Sequence, residues 1–113
     1  QGLIIAGGSD APGEIGDPRI EFYAAVTRKD TTGFHATGWN LAQRVTRQQA
    51  LKMFTIWPAI ASFQEDVKGT IEVGKLADFS IFNKDLMMIP ELEILNSKNI
   101  LTVVGGKIVF QDL

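Results

Sequence analysis

At 113 residues, 45% of them hydrophobic and 21% charged, the chain can build one small domain with a modest core. A net charge of −2 offers no basic face to nucleic acid or to an anionic membrane, and the lack of cysteine excludes disulfides, thiolate metal sites and a thiol nucleophile. No apolar run approaches the roughly 18–20 residues of a bilayer crossing and no signal-peptide pattern is present, so a cytoplasmic location is expected. The chain holds a single histidine, His35, whereas a hydrolytic metal site usually takes about three protein ligands. It also begins at Gln1 and opens almost at once on an apolar run, which reads as a piece of something larger.

Residues 3–6, Leu-Ile-Ile-Ala, carry no polar face and predict a short buried strand. Gly7-Gly8 frees the backbone, Ser9-Asp10 follows, and Pro12-Gly13 makes a second turn. A carboxylate just past an apolar strand stands at the carboxyl edge of a sheet, where α/β folds gather ligands and reacting groups. The same residues also suit an ordinary strand-ending turn, so the motif alone leaves both readings open. Ser9 either orients Asp10 or satisfies turn amides.

Asp17-Pro18 is a helix start, with Asp as N-cap and Pro at the first helical position. The helix is expected over residues 17–29, with Ile20, Tyr23, Ala24 and Thr27 on a semi-apolar stripe and Arg19 and Glu21 on a solvated face. Residues 30–38, D-T-T-G-F-H-A-T-G, read as loop. His35 lies in it and is expected to face solvent, since nothing nearby supplies a partner at metal-ligand spacing. Thr46-Arg47-Gln48-Gln49 is a capping box, and Ala50, Met53, Phe54 and Trp57 continue at helical spacing as core residues. Pro58 is expected to stop or kink this helix, with residues 59–63 forming a further short turn.

At Val67 the texture changes. Residues 70–73 alternate and predict a strand with Glu72 outward, and Gly74-Lys75 makes a turn. Residues 79–82 predict another strand, opened by Asp78 in a local capping or pairing role and closed by Asn83-Lys84-Asp85. Residues 90–95 form a short irregular or helical link. Two apolar runs, residues 100–104 and 107–110, flank Gly105-Gly106 as a hairpin with positive-φ turn residues. The expected organisation is therefore residues 1–66 as strand plus helices and residues 67–113 as strands.

Taken together, G-S-D-A-P after an apolar run, D-P-R-I-E-F-Y-A-A-V-T-R, R-V-T-R-Q-Q-A-L-K-M-F-T, K-G-T-I-E-V-G-K-L-A-D-F-S-I-F and T-V-V-G-G-K-I-V resemble the C-terminal portion of metal-dependent amidohydrolases. The resemblance is collinear over essentially the whole chain. G-T-I-E-V-G-K-L-A-D with V-G-G-K-I-V carries the superfamily, and D-P followed by Y-A-A-V-T-R points to the amidohydrolase family 3 branch.

This resemblance implies an α/β fold: a C-terminal fragment of a (β/α)8 TIM barrel, followed by the C-terminal strands of a small composite β-sandwich. Residues 3–6 would be the last barrel strand, residues 17–29 and 46–63 outer helices, and residues 67–113 part of the sandwich. Family members hydrolyse carbon–nitrogen bonds other than peptide bonds in small amide-type substrates, using one or two divalent metals, often zinc. The aspartate ending the last strand binds metal and handles protons, and it corresponds to Asp10. A metal lowers the pKa of bound water toward 7, and a carboxylate touching that water can pass its proton to the departing amine.

The chain departs from the family in lacking the other ligands: a His-x-His pair, a bridging Lys or Glu, and two further histidines. A whole barrel takes about 250 residues. The isolated chain is thus expected neither to bind the metal nor to catalyse. A different expectation is a non-catalytic truncated relative, a self-associating or partner-binding module forming homo-oligomers through exposed strands.

Overall fold

The computed structural model describes residues 2–112; Gln1 and Leu113, the outer ends of the two expected regions, lie outside them. Four short helices and a three-stranded sheet are strung together in the order α1 (Pro18–Thr27), α2 (Arg47–Met53), α3 (Ile56–Ala61), β1 (Phe79–Phe82), α4 (Glu91–Leu95), β2 (Asn99–Val104) and β3 (Lys107–Gln111). A single 3-10 turn, Leu41–Gln43, precedes α2. The result is an α/β chain with one small antiparallel sheet, ordered β1-β2-β3.

Helix α1 starts as its sequence dictates. The Asp17 side chain accepts the Arg19 amide, and Pro18, which has no N–H to leave unpaired, takes the first helical position. The helix ends at Arg28, which adopts the left-handed conformation (φ 58°) and donates its amide to the Ala24 carbonyl. Its buried face is Phe22, Tyr23, Val26 and Thr27. This corrects the expected stripe, because Phe22 and Val26 lie inside while Ile20 and Ala24 are half-buried. Two elements cover α1, namely α2 and α4, so its apolar arc is wider and rotated from a single-neighbour stripe.

The capping box of α2 forms in full: the Thr46 hydroxyl accepts the Gln49 amide at 3.2 Å, and Gln49 Oε1 accepts the Thr46 amide at 2.9 Å. The expected long helix is in fact two. Pro58 is the third residue of α3, and the break falls at Phe54-Thr55. A proline ring collides with the carbonyl four residues earlier, here that of Phe54, so the interruption precedes Pro58 rather than following it.

The core gathers Phe22, Tyr23 and Val26 of α1, Ala50 of α2 and Ile94 of α4, with Val45, Phe54, Leu86, Met87 and Ile89 packed around them. Burying one such large apolar side chain contributes about 1.5–3 kcal/mol. Helix α4 settles the short link as helical, and it packs against α1.

The hairpin forms as its sequence predicts. Gly105 (φ 56°) and Gly106 (φ 77°) take the two positive-φ positions of the turn, and Asp78 Oδ1 accepts the Gly105 amide at 2.6 Å. Each ladder carries a register shift, between Ile81 and Phe82 in β1 and opposite Thr102/Val103 in β2.

Two expected strands are absent among the described residues. Residues 3–6 are irregular and open to solvent, with Leu3 71% exposed, because no neighbouring strand lies beside them to complete a ladder. Residues 70–73 also form no strand, and Ile71 and Val73 point outward. Local bonds claim that segment instead. The Lys75 amide donates to the Glu72 carbonyl, Lys75 Nζ reaches Thr70 Oγ1 at 2.7 Å and Glu72 Oε2 at 3.2 Å, and the Leu76 amide closes the loop onto the Val67 carbonyl.

Candidate functional site

Asp10 sits on a tethered loop. Upstream, the Gly7 amide donates to the Met53 carbonyl at 2.8 Å, and Gly7 lies so close to the Phe54 ring that a Cβ there would stand 2.8 Å from Cε1. Downstream, the Gly13 amide returns to the Asp10 carbonyl at 2.8 Å, around a cis Ala11–Pro12 peptide. Gly16 then folds back against Ala11 and Ser9. Asp10 itself holds φ 55°, a left-handed conformation that Asp tolerates better than most residues and that recurs at functional sites. Its side chain is exposed.

A cleft of about 570 Å³ opens beside this loop, between residues 15–19 and the sheet edge at Ser80, Phe82, Lys98 and Asn99. Asp17 and Arg19 are among the residues that line it. Arg19 Nε donates to both Asp17 carboxylate oxygens, at 2.9 and 3.1 Å, and the guanidinium also donates to the Ser97 carbonyl. The hydrogen bond with Arg19 holds the Asp17 carboxyl below the ordinary carboxylate range and raises Arg19 in turn. Arg19 is therefore not on a solvated face. Glu21 is not either: it is half-buried, and its Oε2 is shielded without a hydrogen-bond partner. The first turn of α1 faces the segment leading into β2, which neither helical periodicity nor local charge indicates.

His35 faces solvent, as its loop position predicts, with its ring tilted against Phe34 at 4.2 Å. Among the described residues no group of three or more His, Asp or Glu side chains is placed to hold a metal ion. Asp10 alone does not make up a hydrolytic metal site, so the residues present do not fit a bound metal. No helix among them is long and apolar enough to cross a membrane.

The described residues form a mixed α/β chain in which Asp10 lies on a loop between an apolar segment and α1. The comparisons make the class specific. The model of the amidohydrolase family matches residues 1–110, and the chain belongs to that family, in its family 3 branch. It is 33% identical over 113 residues to YtcJ of Bacillus subtilis (strain 168), a protein named as an amidohydrolase, covering 98% of this chain and 21% of that protein. It is 32% identical over 84 residues to the N-substituted formamide deformylase of Arthrobacter pascens, covering 74% of this chain and 15% of that enzyme. The crystal structure of an amidohydrolase from Thermotoga maritima MSB8 superposes with a TM-score of 0.71 at 22% identity, over 98% of this chain and 24% of that one, a likeness of fold. The chain thus spans about a fifth of the length of its curated relatives.

Proposed function

We propose that these 113 residues are the C-terminal part of a metal-dependent amidohydrolase whose whole chain hydrolyses non-peptide carbon–nitrogen bonds in small amide-type substrates. The observation that carries this reading is the collinear family match over residues 1–110. On this reading residues 1–66 contribute the last strand and outer helices of a (β/α)8 barrel, and residues 67–113 the C-terminal strands of a composite β-sandwich. Residues 3–6 then take their ladder partner from a strand outside this chain.

Asp10 is the proposed catalytic and metal-binding residue. Its placement supports the role: a side chain held out to solvent, on a loop pinned at Gly7 and Gly13. It supplies one ligand of a site whose other ligands lie elsewhere in the parent, with zinc the proposed metal. Alone, the 113-residue chain neither holds the metal nor turns over substrate. A cytoplasmic location belongs to the same proposal.

The test is to express the full reading frame around this segment with zinc and assay release of amine from simple N-substituted formamides and acetamides. The expected result is metal-dependent hydrolysis that Asp10→Asn lowers by about 10²–10⁴-fold, the range of positioned acid–base groups. Full activity in the Asp10→Asn protein, or none in the metal-loaded wild type on any amide offered, overturns the proposal.

One observation favours a second reading, in which the chain acts as a self-associating module. Strand β3 is exposed along its whole length, with Ile108, Val109 and Phe110 at 59%, 61% and 46%. An uncovered apolar strand of this kind invites a second copy or another partner.

A further inference from the structure

We infer that Arg19 is a positioning residue for the Asp10 loop, locking it to the segment that joins α4 to β2; the inference rests on the role proposed for Asp10. The two halves of the chain are joined by arginine side chains reaching backbone oxygens. Arg47 donates to the Leu86 carbonyl at 2.6 Å, and Arg19 donates to the Ser97 carbonyl. Of the two, Arg19 lies next to the loop that bears Asp10.

The geometry makes that bond a lock rather than a surface contact. Ser97 is fully buried, and its hydroxyl donates to the Ile94 carbonyl at 2.6 Å, so its own carbonyl is a fixed acceptor just past the C-terminal end of α4. Asp17 is bound twice over. It caps α1 through the Arg19 amide at 3.0 Å and grips the Arg19 guanidinium from below, which sets the fork toward Ser97. Asp17 is also the last residue of the loop from Asp10, whose return at Gly16 packs on Ala11 and Ser9. Between that loop and the sheet lies the open cleft, so little apolar packing fixes their spacing there. Arg19 spans it. A planar guanidinium satisfies the carboxylate and the carbonyl at once, whereas a lysine ammonium serves one well.

The test is residue-resolved amide exchange on the 113-residue chain, comparing Arg19→Ala and Arg19→Lys with the wild type. The Gly13 amide, bonded to Asp10, reports the loop; the Arg28 and Asp112 amides, bonded to Ala24 and Ile100, report α1 and the sheet. Arg19→Ala is expected to speed exchange at Gly13 roughly tenfold, the effect of losing one charge-assisted hydrogen bond, while Arg28 and Asp112 hold their protection. Arg19→Lys is expected to fall between. Unchanged Gly13 exchange overturns the inference, and so does an equal rise at all three amides, which marks a general loss of stability. If Arg19→Ala does not fold, Arg19→Lys alone decides by the same comparison. No turnover enters this readout, so the lock can fail while the amidohydrolase reading stands, and the reverse.

Discussion

Gly38 lies directly against the main-chain oxygen of Thr27, so close that a Cβ on Gly38 would stand 2.5 Å from it. Gly38 also holds φ 83°, a region that L side chains rarely adopt. The contact closes the loop after α1, where the Trp39 amide donates to the Arg28 carbonyl at 2.8 Å and the Arg28 guanidinium sits 5.1 Å from the centre of the Trp39 ring. The first prediction follows: Gly38→Ala faces both a clash and a strained backbone, and is expected to destabilise the chain by about 1–3 kcal/mol. Urea unfolding monitored by tryptophan fluorescence reads this. A midpoint equal to that of the wild type would show that the loop yields instead.

The Asp17–Arg19 pair gives a dependence on acid. Hydrogen bonding from Arg19 lowers the Asp17 carboxyl in the folded chain. A group depressed on folding contributes its stability above the unfolded value, about 3.9 for Asp, and loses it as pH falls through the folded value. Asp17→Asn keeps a good N-cap but removes the charge, so the variant is expected to be less stable than the wild type at pH 7 by about 1 kcal/mol or less, with the gap closing as pH falls below the unfolded Asp value and through the lowered folded one. Asp30, held low mainly by the Thr32 hydroxyl, and Glu93, held low mainly by Lys84, keep some acid sensitivity in both proteins. Denaturation midpoints at pH 7 and in acid check the sign, and a gap that widens in acid contradicts it.

What could be read from the sequence was local. The Asp17-Pro18 helix start, the Thr46–Gln49 capping box and the Gly105-Gly106 turn each place donor, acceptor and backbone freedom within four residues, and each formed as expected. Partnership across the chain was not legible. Residues 3–6 and 70–73 have strand-like composition, yet a strand exists only where another lies beside it. Arg19 looked solvated because its acceptor, Ser97, is 78 residues away and is a carbonyl, which no side-chain pattern encodes. For the proposed site, the G-S-D-A-P turn is the feature that suggests Asp10, while periodicity gave no sign of the Gly7–Phe54 contact that pins its loop.

The uncovered strand yields a third prediction. Ile108 and Val109 on β3 are more than half exposed, and one side of that strand has no ladder partner among the described residues. If the 113-residue chain associates through β3, sedimentation velocity shows a concentration-dependent dimer. Ile108→Lys then shifts it toward monomer, since a charge on an edge strand opposes further pairing. A wild type that stays monomeric as concentration rises removes the self-association reading, and a dimer indifferent to Ile108→Lys moves it to another surface.

The last prediction concerns metal. The described residues place no three ligands together, and Asp10 offers one carboxylate on an exposed loop. A single carboxylate in water holds a divalent ion weakly, because strong sites need three or four ligands fixed at bonding distance. Titration calorimetry of the 113-residue chain with zinc is therefore expected to show no stoichiometric binding, and Asp10→Asn to leave the trace unchanged. On the proposed reading Asp10 completes a ligand set begun elsewhere in the parent, so in the full reading frame the same substitution is expected to weaken zinc binding. Tight one-to-one binding by the isolated chain, lost in Asp10→Asn, would mean that ligands gather around Asp10 from this chain itself, against the arrangement seen here.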